Sequence, residues 1–288
     1  MGLDLPRLSV REDSSGVRFL TDNALTAACG VTIGFTERGG GLSSAPYASL
    51  NLGRFAGEGE AAARANICRL MDAVGAAGMA LINPKQVHGT DIVCFSDECQ
   101  GEGLSPLGTS AEASEDETFS TPEADGVLVD APNVFALLCF ADCVPLILVA
   151  PSGAFAVAHS GWRGTQGHIA VRALTALAQE EALREGASIQ ETLAACNVYI
   201  GPYIHKECFQ VGSDVYQLFA DTFGSSVLWG SDHVDLGATI RQDLLGAGAD
   251  EARIVDADLC TVCHTNRFYS YRAEDGVCGR HGAFAFRK

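Results

Sequence analysis

The chain is 288 residues long, 47% hydrophobic, with a formal net charge of -17. That length and apolar content support one large domain or two ordinary ones with a substantial core, and exclude overall disorder. The acidic balance argues against a nucleic-acid binder, which draws its affinity from clustered Lys and Arg, so an anionic ligand would need a local basic pocket.

Residues 1–28 lack a clear period and are expected to form an initial strand or two. They show no basic-then-apolar export pattern, and no run in the chain reaches the roughly 18 apolar residues of a membrane helix, so a cytoplasmic protein without a membrane partner is expected. Val31 to Phe35 is strand-like, and the following T-E-R-G-G-G (36–41) is a loop in which glycines allow close backbone approach. Glu58 to Ala77 carries Ile67, Leu70 and Met71 at helical spacing and reads as an amphipathic helix ending at Gly75 or Gly78. Residues 97–123 are acidic, Ser- and Gly-rich and poor in apolar side chains, which suits a mobile insertion rather than a domain linker.

V-P-L-I-L-V-A (144–150) and A-F-A-V-A (154–158) are strand-like runs around a Pro151-Ser152-Gly153 turn, the pattern of a β-hairpin. Residues 167–184 alternate with helical period, 198–200 return to strand, and helices are expected over 213–223 and 235–245, the second stopped by Gly-Ala-Gly-Ala. Phe268 to Arg272 reads as a late strand and Ala283 to Phe286 as another. No internal repeat of solenoid length is present.

The hairpin carries the first chemical signal, because folding it back brings Cys143 and His159 to one sheet edge. A thiolate beside an imidazole is either a Cys/His nucleophile pair or two thirds of a metal site; the same spacing suits a buried structural Cys near a satisfied His equally well. His88, in Gln86-Val87-His88-Gly89, would complete a Cys/His/His set, and three protein ligands plus water is the pattern of a catalytic zinc. The eleven cysteines are odd in number and lack a disulfide rhythm, so most are expected to be small buried hydrophobes in a reducing compartment.

Cys260-Thr261-Val262-Cys263-His264 matches the C-x-x-C-H pattern of covalent haem attachment, but no export signal and no second Cys pair accompany it. Two strand-end cysteines and an incidental His are the expectation there. Glycine-rich dinucleotide and P-loop signatures are absent. Gly161-Trp162-Arg163-Gly164, leading into a helix, could hold an anion at its N-terminus or simply place a structural Arg. Gly201-Pro202-Tyr203-Ile204 with Cys208 to Gly212 has the look of a turn closing over a site.

Thr36 to Gly40, Ser49-Leu50-Asn51-Leu52-Gly53, Gln86 to Gly89, Ala124-Asp125-Gly126, Ala141 to Pro145, His159 to Gly164, Ile200-Gly201-Pro202 and Phe268 to Arg272 occur in that order. Together they closely resemble the polyphenol oxidase or laccase-domain family, later described as purine nucleoside phosphorylases with adenosine deaminase activity. The resemblance runs from about residue 31 to the C-terminus. It implies one α+β domain over 1–288, four layers α/β/β/α with mixed sheets, and a zinc held by His88, Cys143 and His159.

It also implies phosphorolysis of adenosine, inosine, guanosine and methylthioadenosine, and hydrolytic deamination of adenosine. Purine nucleoside and phosphate are then the expected partners, and a homodimer is left open. Three positions depart from the family pattern: Ile240 replaces an Asn, Gln210 a common acid, and Tyr203 a Cys or Ala. On this reading Asp142 is the candidate proton shuttle, or else a structural acid orienting a ligand. Arg38 and Arg163 are candidates for phosphate, with Asn51 near the sugar or base.

Other classes remain open. The historic laccase label would require copper-binding His clusters such as H-x-H, and the sequence has none. A Cys/His amidase-type hydrolase, with Cys143 as nucleophile, would suit the editing of peptidoglycan precursors ascribed to some bacterial relatives. A non-catalytic metal-binding protein would leave the same residues idle.

Overall fold

The computed structural model describes residues 2–96 and 122–288, so the acidic stretch expected to be an insertion lies, apart from Pro122 and Glu123, outside the described residues. Two six-stranded sheets form the centre. The first contains β1 (Ser9–Glu12), β2 (Arg18–Thr21), β3 (Val31–Thr36), β4 (Ala80–Ile82), β7 (Val134–Phe140) and β14 (His281–Arg287), in the order β1-β2-β3-β14-β7-β4. The second contains β5 (Ile92–Ser96), β6 (Gly126–Asp130), β8 (Val144–Val149), β9 (Phe155–Ser160), β10 (Asn197–Ile200) and β13 (Ile254–Asp256), in the order β13-β10-β8-β9-β6-β5. A small ribbon pairs β11 (Leu228–Trp229) with β12 (His233–Val234).

Most pairs are antiparallel, but β4 runs parallel to β7, β5 to β6 and β10 to β13, so both sheets are mixed.

Side-chain alternation explains the layering. Along β14, Ala283 and Ala285 face the other sheet, whereas Phe284 and Phe286 face outward. Along β8, Ile147 and Val149 join the inter-sheet core, and Leu146 and Leu148 join the outer one. The described residues form seven α-helices: α1 (Asn23–Cys29), whose Leu25 packs into the inter-sheet core, and α2 (Glu60–Ala73), α3 (Trp162–Gln166), α4 (Ile169–Glu185), α5 (Ile189–Ala195), α6 (Ser213–Phe223) and α7 (Leu236–Gly246), which lie on the outer faces. On the first sheet, α2 buries Ile67, Leu70 and Met71 against Phe135, Phe284 and Phe286. On the second, α4 buries Ile169, Ala173, Leu174 and Leu177, joined by Phe219 of α6 and Ile240 and Leu244 of α7. The α+β, four-layer α/β/β/α arrangement is therefore present. No described helix is long and apolar enough to cross a membrane.

The helix expected over 167–184 is present as α4, and His168, at φ 61°, separates it from the short α3 that precedes it. One element differs from the sequence expectation. Phe268 to Arg272 forms turns and irregular backbone instead of a strand. Its side chains are apolar enough, but its backbone donors go elsewhere: the Ser270 N–H to the Glu274 carboxylate and the Arg272 N–H to that of Asp142.

Candidate metal centre and its pocket

The hairpin of β8 and β9 forms as its sequence suggests, with Pro145 opposite His159 and Val149 opposite Phe155. Cys143 immediately precedes β8, so its sulfur and the His159 ring share one end of the second sheet. His88 arrives from the first sheet. After β4 ends, Asn83 Nδ2 donates to the Leu137 carbonyl at 2.8 Å. Gln86 then bonds both backbone groups of Cys139, each at 2.8 Å. These side chains extend the edge of β7 where the β4 ladder has stopped and deliver residue 88 to the gap between the sheets. The ligand atoms of His88, Cys143 and His159 all lie within 4.8 Å of one another.

Asp125, just before β6, organises the three. Its carboxylate accepts the consecutive N–H groups of Val87, His88 and Gly89, at 3.1, 3.0 and 2.6 Å. Such convergence requires a sharp bend, and His88 supplies it with φ 60°. Asp125 Oδ1 also accepts from His159 Nδ1 at 2.8 Å. With Nδ1–H held there, the lone pair of His159 Nε2 is left for a metal, the usual carboxylate–histidine arrangement behind a ligand. Burial opposes the ionised Asp125, but the His159 ring and the Gly89 N–H overcome it and hold the carboxyl below its usual range.

Electrostatics favour the ligating forms. Burial would raise the Cys143 thiol, yet the imidazoles of His159 and His88 bring it down to about 6. Burial likewise opposes a charged His159, and the Cys143 thiolate with Asp125 raises it to about 9. Without metal the two form a thiolate–imidazolium pair.

The donor set also has room for an ion. A Cβ on Gly161 would lie 3.0 Å from Cys143 Sγ and 3.1 Å from His88 Cδ2, so glycine keeps a side chain out of the space between two ligands. One thiolate and two imidazoles fit a tetrahedral zinc with an open fourth position.

The cluster opens onto a cavity of about 520 Å³. Its walls include Phe55, Phe209 and Tyr271 and three cations, Arg54, Arg272 and Arg280, in a chain that is strongly acidic overall. Arg272 is fixed by donating to the carbonyls of Cys208 and Gln210, and Arg280 to those of Cys278 and Gly279.

Asp142 also lines the cavity; its carboxylate accepts the Thr261 hydroxyl at 2.6 Å and the Arg272 N–H at 2.7 Å. The other expected substrate contacts sit elsewhere. Arg38 donates to the carbonyls of Ala48 and Thr265 and pairs with Glu274 at 3.0 Å, stacked on Tyr269. Asn51 is fully buried, its Oδ1 accepting the N–H groups of Gly53 and Arg280, so it shapes the loops carrying Arg54 and Arg280 without lining the cavity. Arg163 is exposed and lies over Trp162. None of the three departures lines the cavity: Ile240 is in the outer core, Tyr203 donates to Asp256, and Gln210 to Asp232.

Asp125, Arg54 and Arg280 carried no role in the sequence reading. Asp125 was visible within Ala124-Asp125-Gly126 as an acid at the mouth of the apolar run Val127-Leu128-Val129; nothing local marked the two arginines.

Residues 32–288 match the sequence model of the family described as multi-copper polyphenol oxidoreductase laccase. A purine nucleoside phosphorylase YlmD from Geobacillus stearothermophilus is 32% identical over 269 residues, covering 90% of this chain and 91% of its own. A purine nucleoside phosphorylase from Deinococcus radiodurans is 34% identical over 251 residues, 85% of each chain. An adenosine deaminase RL5, from an unknown prokaryotic organism, is 29% identical over 72% of this chain and 75% of its own. The crystal structure of YlmD from G. stearothermophilus superposes with a TM-score of 0.79 at 29% identity, covering 98% of this chain and all of that one.

Proposed function

The chain belongs to the multi-copper polyphenol oxidoreductase laccase family, and from that premise we propose that it is a cytoplasmic, zinc-dependent purine nucleoside enzyme. It phosphorolyses adenosine, inosine, guanosine and methylthioadenosine, and hydrolytically deaminates adenosine. The observation that carries this reading is the His88/Cys143/His159 set at one end of a 520 Å³ cavity walled by arginines and aromatic rings. That volume falls in the range of small-ligand sites. Copper chemistry of the laccase kind is not supported, because the seven histidines include no H-x-H pair.

Zinc bound by these three residues would supply Lewis acidity and a water whose pKa is drawn towards about 7. The protein's own groups do the rest. Asp125 fixes the tautomer of His159 and, through three N–H groups, the position of His88. Arg54, Arg272 and Arg280 hold the phosphate anion, a role expected of Arg38 and Arg163 from sequence but better served by cations in the cavity wall. Phe55, Phe209 and Tyr271 offer flat faces for a purine. Asp142 is the carboxylate of the lining and the proton shuttle for deamination; each of its oxygens keeps a lone pair beyond the bond it accepts.

Incubation with adenosine, with and without phosphate, tests the reading by resolving the products. Adenine appearing only with phosphate and inosine appearing without it are expected; neither product would overturn it. The thiolate–imidazolium pair favours one second reading, a metal-free Cys143 hydrolase acting on an amide. Elemental analysis separates the two, since stoichiometric zinc lost in Cys143→Ser excludes the free nucleophile.

A further inference from the structure

A second sulfur cluster lies behind one wall of the cavity. The segment after β10 runs alongside the segment after β13, with Tyr203 bridged to Cys260 and the Thr261 N–H donating to the Tyr203 carbonyl at 2.9 Å. This pairing brings Cys208 against Cys260 and Cys263, although 55 residues separate Cys208 from Cys263. The three Sγ atoms lie within 4.8 Å of one another.

Cys208 Sγ and Cys263 Sγ are 3.7 Å apart. A tetrahedral ion with metal–sulfur bonds of about 2.3 Å holds its sulfurs about 3.75 Å apart, whereas a disulfide closes them to about 2.05 Å. The separation is too long for a disulfide and matches the span that one ion would bridge, although the metal-free sulfurs, whose thiols are raised by burial and by one another, meet there as hydrogen-bonded thiols. Cys260 Sγ accepts the His205 backbone N–H at 3.4 Å, which fixes its position in the cluster. Cys260 and Cys263 also have the two-residue spacing of half a zinc site, on a turn closed by the His264 N–H donating to the Cys260 carbonyl.

We infer that Cys208, Cys260 and Cys263 form a second zinc site, a three-thiolate clasp distinct from the centre at His88, Cys143 and His159. Soft sulfur donors select zinc over magnesium or calcium, and up to three thiol protons leave as the zinc–sulfur bonds form. Water completes the coordination on the side of Cys263, which is exposed. Three thiolates leave the centre with a net charge of minus one, which blunts its Lewis acidity and makes its role mechanical.

The clasp ties together two segments that both reach the pocket. Phe209 follows Cys208 and lines the cavity; the Cys208 carbonyl accepts from Arg272 Nη1 at 3.1 Å; and Thr261, next to Cys260, donates to Asp142 beside Cys143.

Metal counting tests this without reference to activity, so failure of the phosphorylase reading would leave the result untouched. Protein purified with zinc and without chelator should contain two zinc ions per chain, and one in Cys143→Ser or Cys263→Ser. Cobalt-loaded Cys143→Ser should show thiolate-to-cobalt charge transfer, since its remaining sulfur ligands belong to the clasp; this arm needs no substitution in the cluster. One zinc per chain that Cys263→Ser does not change, no charge transfer in cobalt-loaded Cys143→Ser, or a Cys208–Cys263 disulfide in the freshly isolated protein would each overturn it.

Discussion

The two cysteine-containing clusters differ in what holds them. Cys143 and His159 stand at the end of a hairpin inside a six-stranded sheet, and His88 is delivered by side chains that extend the other sheet. Behind them Asp125 spends its whole carboxylate on orientation. Cys208 and Cys263 lie on turns and Cys260 on an isolated bridge, with a single backbone N–H donated to sulfur and no carboxylate bonded to any of them among the described residues. Rigid placement is needed where a fourth ligand must meet a substrate; it is dispensable where an ion only ties two segments together.

The largest break in that contrast is Cys143→Ser. It should remove zinc from the first centre and lower adenosine turnover on the order of 10³-fold or more, the equivalent of the several kcal/mol a Lewis acid contributes. Paired elemental analysis and product assays check it. Turnover within tenfold of wild type would mean the centre is not where chemistry happens.

Next in size is Asp125→Asn, which keeps the shape but loses an acceptor for four donors. Loss of a carboxylate behind a histidine ligand costs about 10- to 100-fold in metal affinity, so zinc should be stripped by correspondingly weaker chelators. The folded protein should also suffer. Because the Asp125 pKa is held below its usual value, its contribution to stability is present above the ordinary carboxylate range and is lost as pH falls through the lowered value. Acid-unfolding curves of wild type and Asp125→Asn should therefore converge at low pH; a constant offset down to full acid unfolding would contradict this role.

How far such a site is legible from sequence depends on which contacts are local. The hairpin was readable because apolar runs flank a Pro-Ser-Gly turn, and α6 because its apolar face repeats with helical period. Phe268 to Arg272 misled because aromatic composition favours a strand while side chains from Asp142 and Glu274 take the backbone donors. The fate of an enclosed histidine is equally non-local. His159 is raised to about 9 by a thiolate and a carboxylate that outweigh burial, whereas burial pushes His281, beside Phe140 and Phe268, down to about 3. Nothing around residue 281 in the sequence distinguishes the two. The third sulfur of the clasp was hidden for the same reason: C-x-x-C lacked a second pair nearby, and its partner comes from a remote loop.

Proton release sharpens the electrostatic side of the comparison. Between about pH 6 and about pH 9 the metal-free pair holds Cys143 as thiolate and His159 as imidazolium, so zinc binding expels one proton from it, that of His159. Protons compete with metal, and the pair's contribution makes apparent affinity rise about tenfold per pH unit across that window. Below about pH 6 Cys143 must lose its proton as well, and the dependence steepens. Calorimetry of zinc binding to Cys263→Ser, in buffers of different ionisation enthalpy, isolates the first centre. No net proton release at pH 7.5 would mean that His159 is neutral before the metal arrives.

The smallest effect is expected from Cys263→Ser itself. Cys263 touches neither the first centre nor the cavity lining, so zinc at His88, Cys143 and His159 and the value of kcat should stay at wild-type levels. Loosening the clasp frees Phe209 and Arg272, which line the cavity and, on the proposed reading, bind substrate without taking part in bond breaking. The change should therefore appear in KM, as a two- to fivefold rise, about 0.5–1 kcal/mol of lost positioning. A fall in kcat with unchanged KM would move the second cluster from the wall of the site to its chemistry. No change in either, with the second zinc demonstrably gone, would leave the clasp as a purely structural tie between the 201–212 and 258–272 segments.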